Sequence, residues 1–295
     1  MQIVALPIFA VAVCVAANAQ GAPQTSPAVQ ISQYENSDKD FQRFAEDVMQ
    51  ASKANDQARL LAYTRSMLLP DADAWFVKSF GKNLGAQYAA YYSQMAGSLD
   101  ITLADTFLGI AAQGYSTIQA VRLNSPCEAG LKPIETSVLV ARQSSNPLYV
   151  VRFFSGDTSQ VIRFFSYADG GFRYLRDLNP RGPYRPPSKD PSAPQMPRGL
   201  TVAAPQIMHQ VSPVYPDEAR RNGIKGSVKL NVVVSKTGDV GQVIVLGGPC
   251  ELMEAAYRAV MKWTFKPTII VATDGSRMPI ENELEVSVEF KLPSR

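Results

Sequence analysis

A chain of 295 residues with a net charge of +3 and 19% charged residues has no clustered basic excess of the kind that nucleic-acid binding requires. Its 46% hydrophobic content is that of a folded protein, and its length suggests about two domains, since single cores stop growing before this size. One histidine and three cysteines leave little material for a metal cluster or an imidazole-driven active site.

Residues 3–17 form an apolar run that ends in Ala17-Asn18-Ala19, an A-x-A site ahead of Gln20. A membrane span needs about 20 apolar residues, so the run reads as a cleaved export signal over residues 1–19. Cleavage predicts a periplasmic or secreted protein. Because no positive charge precedes Ile3, a retained inner-membrane anchor is the alternative. Cys14 fits a lipidation signal poorly, since Val13 stands where a small residue is preferred. Removing the signal leaves Cys127 and Cys250. Two separate, partly buried thiols are the expected reading; a bridge tying two domains together in an oxidising compartment is the other.

Residues 20–178 read as an N-terminal α+β domain. After a polar lead-in, Ser37 caps a helix with Asp40 three residues on, and Phe41, Phe44, Ala45 and Val48 mark its buried face. Asn55-Asp56 breaks the pattern, and Leu60, Leu61, Thr64 and Leu68 resume it as far as Pro70. A further helix opens with Asp71 and Asp73, where its dipole favours carboxylates. It carries an aromatic stripe of Trp75, Phe76, Phe80, Leu84, Tyr88, Tyr91, Tyr92 and Met95, expected as core rather than as a ligand box. Periodicity does not decide between helix and strand over residues 98–110.

From Glu135 the texture turns to strands over 136–142, 148–155, 160–167 and 172–178, separated by Asn146-Pro147, Gly156-Asp157 and Asp169-Gly170-Gly171. Four strands joined by tight turns predict an antiparallel meander with the helices laid over it. A cone of the nuclear transport factor type is one candidate layout. Residues 179–201 follow as a linker with seven prolines. Such a composition favours an extended spacer that could hold its neighbours roughly 60 Å apart; its basic residues read as solvated.

The tail, residues 202–295, is the most informative stretch. Pro216 suits the first turn of a short helix that Asp217 and Glu218 begin and Gly223 ends. Val228, Leu230, Val232 and Val234 alternate with Ser227, Lys229, Asn231 and Val233 as a half-buried strand, and Lys236-Thr237-Gly238-Asp239 turns it into a hairpin with residues 240–246. Leu252, Ala255, Ala256, Ala259, Val260 and Trp263 form one helical stripe, and Val286, Val288, Phe290 and Leu292 a last alternating strand. The predicted order is helix, hairpin, helix, strand.

This tail resembles the TonB C-terminal domain family, found in energy-transducing proteins that contact outer-membrane receptors. The resemblance covers roughly residues 205–293 and rests on Tyr215-Pro216, Ala219, Gly226, Gly238, Ala255-Ala256, Ala259-Val260, Trp263, Phe265 and Pro267. Thr237, Thr264 and Cys250 depart from the family's pattern. The resemblance implies an envelope protein that binds an extended receptor segment, or another envelope protein, by strand addition along the last strand. The expected partner-binding residues are Glu283, Glu285, Ser287 and Glu289, with Tyr215 and Pro216 counted beside them. It also implies a role in energy-coupled transport. Family members that draw on the proton gradient carry a Ser and a His in an uncleaved anchor, and residues 1–20 have neither.

No catalytic residue, cofactor or metal site is expected. His209 has no Ser or Cys at motif spacing, and Gly247-Gly248-Pro249 lacks the Lys and Ser/Thr of a phosphate loop. An alternative function makes the N-terminal domain a ligand-binding cone that the tail docks to the envelope. Nucleic acid is not an expected partner, and membrane contact is left open.

Overall fold

The computed structural model describes residues 29–179, 201–202, 205–271 and 274–292. The expected export signal and nearly all of the expected proline-rich linker lie outside the described residues. No helix among the described residues is long and apolar enough to cross a membrane.

Helix α1 (Asp38–Lys53) starts where the Ser37 hydroxyl accepts from the Asp40 N–H at 3.1 Å. It buries Phe41, Phe44, Ala45 and Val48, the face its spacing predicts. Asn55 turns the chain in the left-handed region (φ 52), and Asp56 caps α2 (Gln57–Ser66). The aromatic stripe is two helices rather than one, α3 (Ala72–Phe80) and α4 (Lys82–Ser93). Gly81 (φ 80) folds one back on the other. Gly85 lets them meet, since a Cβ there would lie 2.4 Å from the Phe76 carbonyl oxygen. Residues 98–110 belong to a helix, α5 (Leu99–Ala112).

The chain then runs β1 (Thr117–Leu123), α6 (Pro133–Ala141), β2 (Leu148–Ser155), β3 (Thr158–Ala168) and β4 (Gly171–Tyr174). The strands form an antiparallel sheet in the order β1-β2-β3-β4. The meander therefore has four strands, but its first is β1; the expected strand over 136–142 is helix α6. Pro133 opens that helix with a preset φ, and the Glu135 carboxylate accepts from the Lys132 N–H at 3.0 Å. Every residue from Glu135 to Ala141 is buried. Glu135, 1% exposed, meets Arg152 of β2 at 3.3 Å and Arg163 of β3 at 3.2 Å. Removing one member of such a group strands the others' charge, which costs about 3 kcal/mol or more. The group pins α6 to the sheet.

Between α1 and the sheet, Phe41 stacks obliquely on Tyr149 at 4.5 Å and on Phe172 at 4.8 Å. Tyr34, Phe44, Tyr63 and Phe165 close around them. Each fully buried ring contributes about 1.5–3 kcal/mol by leaving water.

The tail comprises β5 (Thr201–Val202), β6 (Ile207–His209), α7 (Asp217–Arg221), β7 (Gly226–Val234), β8 (Val240–Gly247), α8 (Cys250–Val260), β9 (Thr264–Phe265), β10 (Thr268–Val271), β11 (Arg277–Ile280) and β12 (Asn282–Phe290). Its main sheet is antiparallel in the order β12-β7-β8. The α8 face carrying Leu252, Ala256 and Val260 covers the side formed by Val228, Leu230 and Val232. The predicted element order holds, with an additional hairpin, β10 with β11, inserted before the last strand. Buried side chains form one contiguous cluster running from Tyr34 to Phe290, and α6, packed on both β8 and α8, joins the two parts.

Candidate functional site

The tail sheet has two edges, and they are treated differently. Along β8 lies α6. The Val245 N–H donates to the Ser137 Oγ of α6 at 2.8 Å, a buried bond, and Gln87 Nε2 of α4 donates to the Gly241 carbonyl at 3.2 Å. The β7–β8 pairing is also irregular, with register shifts at Lys229/Leu230 and Val233/Val234. A covering helix and bulges are two of the ways in which proteins blunt a strand edge.

At the end of this seam Cys127 and Cys250 are bonded to each other, with Cα atoms 5.0 Å apart. The bridge, rather than two separate thiols, is what the fold contains. Glu251 stands beside the two sulfurs, but bonded sulfurs cannot act as thiolate metal ligands.

Strand β12 is the other edge. It pairs with β7 without a register shift, from Asn282 opposite Val234 to Phe290 opposite Gly226. Its outer side has no strand partner among the described residues. Glu283, Glu285, Ser287 and Glu289 are exposed on one face. On the other, Leu284 and Val286 are half-buried, and Val288 and Phe290 are buried. Across the pairing the acidic residues face Val233, Asn231 and Ser227, and Lys229 stands opposite Ser287. Lys291 pairs with Glu289 at 3.0 Å.

The two other expected residues sit elsewhere. The Tyr215 ring packs edge-on against Phe290 at 5.4 Å, and its hydroxyl donates to the Ile224 carbonyl. Tyr215 thus braces the end of β12 from behind. Pro216 lines a separate groove of about 400 Å³ with Val211, Val214, Glu254 and Arg258, none of them on β12. His209 is exposed on β6. Ser137 and Gln87, which cover the opposite edge, carry no sequence signal, because neither belongs to a motif.

In the N-terminal part the aromatic stripe fills its own interior. Phe76 contacts Phe80, Tyr88 and Tyr92 at ring separations of 5.7–6.4 Å, and all four are buried. A cleft of about 270 Å³ remains at its margin, lined by Tyr91, Met95, Thr102, Tyr174 and Arg176. The Arg176 guanidinium lies 3.7 Å from the Tyr91 ring centre.

Residues 211–292 match the family described as Gram-negative bacterial TonB protein C-terminal. The tail module is TonB-like. The protein named TonB of Vibrio cholerae serotype O1 is 30% identical over 115 residues, which cover 36% of this chain and 45% of that protein. The chain thus matches less than half of that relative's length. The solution structure of the Pseudomonas aeruginosa TonB CTD aligns with 31% of this chain and 89% of its own, at 25% identity and a TM-score of 0.25.

Within the TonB-like module, Gly238 and Trp263, two of the residues that carry the resemblance, serve the scaffold. At Gly238 (φ 94) a Cβ would fall 2.1 Å from the Phe265 carbonyl oxygen, so the hairpin turn can seat itself on β9 only with glycine there. Trp263 Nε1 donates to the Val211 carbonyl at 2.9 Å, holding the approach to Tyr215. The departures also have local explanations. The Thr237 hydroxyl donates to Asp239 at 2.8 Å within the turn, Thr264 bridges to Asp239, and Cys250 forms the bond to the N-terminal part.

Proposed function

We propose that the TonB-like module takes up an extended segment of an outer-membrane receptor, or of another envelope protein, as an added strand on the outer side of β12, in the service of energy-coupled transport. One observation carries this reading: the tail sheet keeps a regular, unbulged edge of nine residues, and its other edge lies under α6. An edge strand points alternate N–H and C=O groups outward. Each main-chain hydrogen bond made there is worth roughly 0.5–1.5 kcal/mol net, so four or five of them give a weak, reversible grip. That suits a contact made and released repeatedly. Glu283, Glu285, Ser287 and Glu289 would stand beside the guest and tune its choice, while Tyr215 keeps the end of β12 in place.

The test is calorimetric titration of the exported full-length chain with peptides copied from periplasm-facing segments of outer-membrane receptors. Binding that disappears when alternate guest amides are N-methylated supports strand addition. Binding indifferent to methylation of either alternate set, or NMR shifts confined to the Pro216 groove, would rule it out. A ligand-binding cone in the N-terminal part has less support, because Phe76, Phe80, Tyr88 and Tyr92 occupy the interior it would need.

A further inference from the structure

We infer that the guest of β12 is an amphipathic strand of a particular kind, basic on one face and apolar on the other, the two alternating along its length. This rests on strand addition at β12 and adds the chemistry of the partner. A strand laid against β12 sets its side chains directly beside those of β12, with Cβ atoms about 4.5–5.5 Å apart. On the solvent face its neighbours are Glu283, Glu285, Ser287 and Glu289. Among the described residues the β7 side of the sheet supplies Lys229 to this row, opposite Ser287 and diagonal to Glu285 and Glu289, and Lys291, just past the strand's end, pairs with Glu289 at 3.0 Å; the added charge of a basic guest therefore acts most strongly around Glu283 and Glu285. Opposite charges across a pairing stabilise it, whereas like charges directly opposite destabilise it.

On the other face the guest meets Leu284 and Val286. Both are only half-buried, although they pack on the buried cluster of the tail. Apolar guest residues at the alternate positions would extend that cluster and cover them. The two faces of one edge therefore specify opposite chemistries at successive guest positions, and an acidic segment is rejected by the same row that holds a basic one.

Four capped peptides of about nine residues, the length of β12, test this on the full-length chain. Three alternate valine with lysine, with glutamine or with glutamate. The fourth has the composition of the lysine peptide, with its lysines in one block, so that they cannot all lie on one face. Expected is binding of the alternating lysine peptide about tenfold tighter than that of the glutamine peptide, with the block peptide and the glutamate peptide weaker than both. In about 1 M salt, where the screening length falls to about 3 Å, the lysine advantage shrinks. The combined Glu283→Gln, Glu285→Gln and Glu289→Gln variant brings the lysine-to-glutamine ratio close to one, and Glu→Lys at the same positions inverts it.

Equal binding of the lysine and glutamine peptides overturns the inference and leaves strand addition standing. Equal binding of the alternating and block lysine peptides overturns it too, by reducing the attraction to bulk charge. Failure of every peptide to bind overturns both readings.

Discussion

The two margins of the tail sheet are built from the same kind of backbone and have opposite fates. At β8, bulges interrupt the ladder, Ser137 satisfies the Val245 N–H, Gln87 reaches the Gly241 carbonyl and a covalent bridge closes the end of the seam. At β12 the ladder is regular, one face bears alternating exposed carboxylates, and the outer edge has no strand partner among the described residues. An open edge is a hazard that proteins usually suppress. One edge carries all of these devices and the other stays regular, and it is this contrast that the proposed use of β12 rests on.

The contrast breaks most deeply at the bridge. Cys127 and Cys250 are separated by 123 residues, and on chain-entropy grounds closing a loop of that size constrains the unfolded state by up to about 4–5 kcal/mol. Paired Cys127→Ser and Cys250→Ser changes are expected to lose about 3–4 kcal/mol of unfolding free energy in urea, and a reductant should have the same effect on the parent. A loss below about 1 kcal/mol would mean that packing along α6 alone holds the seam.

A smaller and more local break is Ser137→Ala, which leaves the buried Val245 N–H without an acceptor at a cost of about 1–3 kcal/mol. Hydrogen exchange at the Val245 amide should accelerate while the amides of β12 keep their rates; equal acceleration on both strands would mean global unfolding rather than an uncovered edge.

The mildest probe is alkali. Burial pushes the phenols of Tyr88 on α4 and Tyr257 on α8 well above the usual tyrosine range. The unfolded chain ionises near pH 10 while the folded one resists, so their stabilisation is complete below that value and is lost as pH rises above it. Tyr88→Phe with Tyr257→Phe should flatten the alkaline fall in melting temperature; an unchanged fall would point to other groups.

Much of this molecule can be read from its sequence, for identifiable reasons. Strand β12 is legible because Glu283, Glu285, Ser287 and Glu289 alternate with apolar partners, the signature of one wet face. Helix α1 is legible because Ser37 caps it and Phe41, Phe44 and Val48 return at helical spacing. Helix α6 defeats the same reading, because Thr136, Val138 and Val140 alternate like a strand and no polar stripe remains when every side is buried. Only Pro133 and Glu135 betray it. Strand β1 hides for the opposite reason: its residues are mostly half-exposed, so neither face stands out. The cover over β8 has no local trace at all, since Ser137 and Gln87 lie 108 and 154 positions from the atoms they bind.

Helix α6 is a party wall, owned jointly by two neighbours. A tail cut out at residue 202 would lose the cover over β8, and the stripped side would be free to zip onto its own kind. Any pairing of such fragments along β8 would then be a wound of the excision.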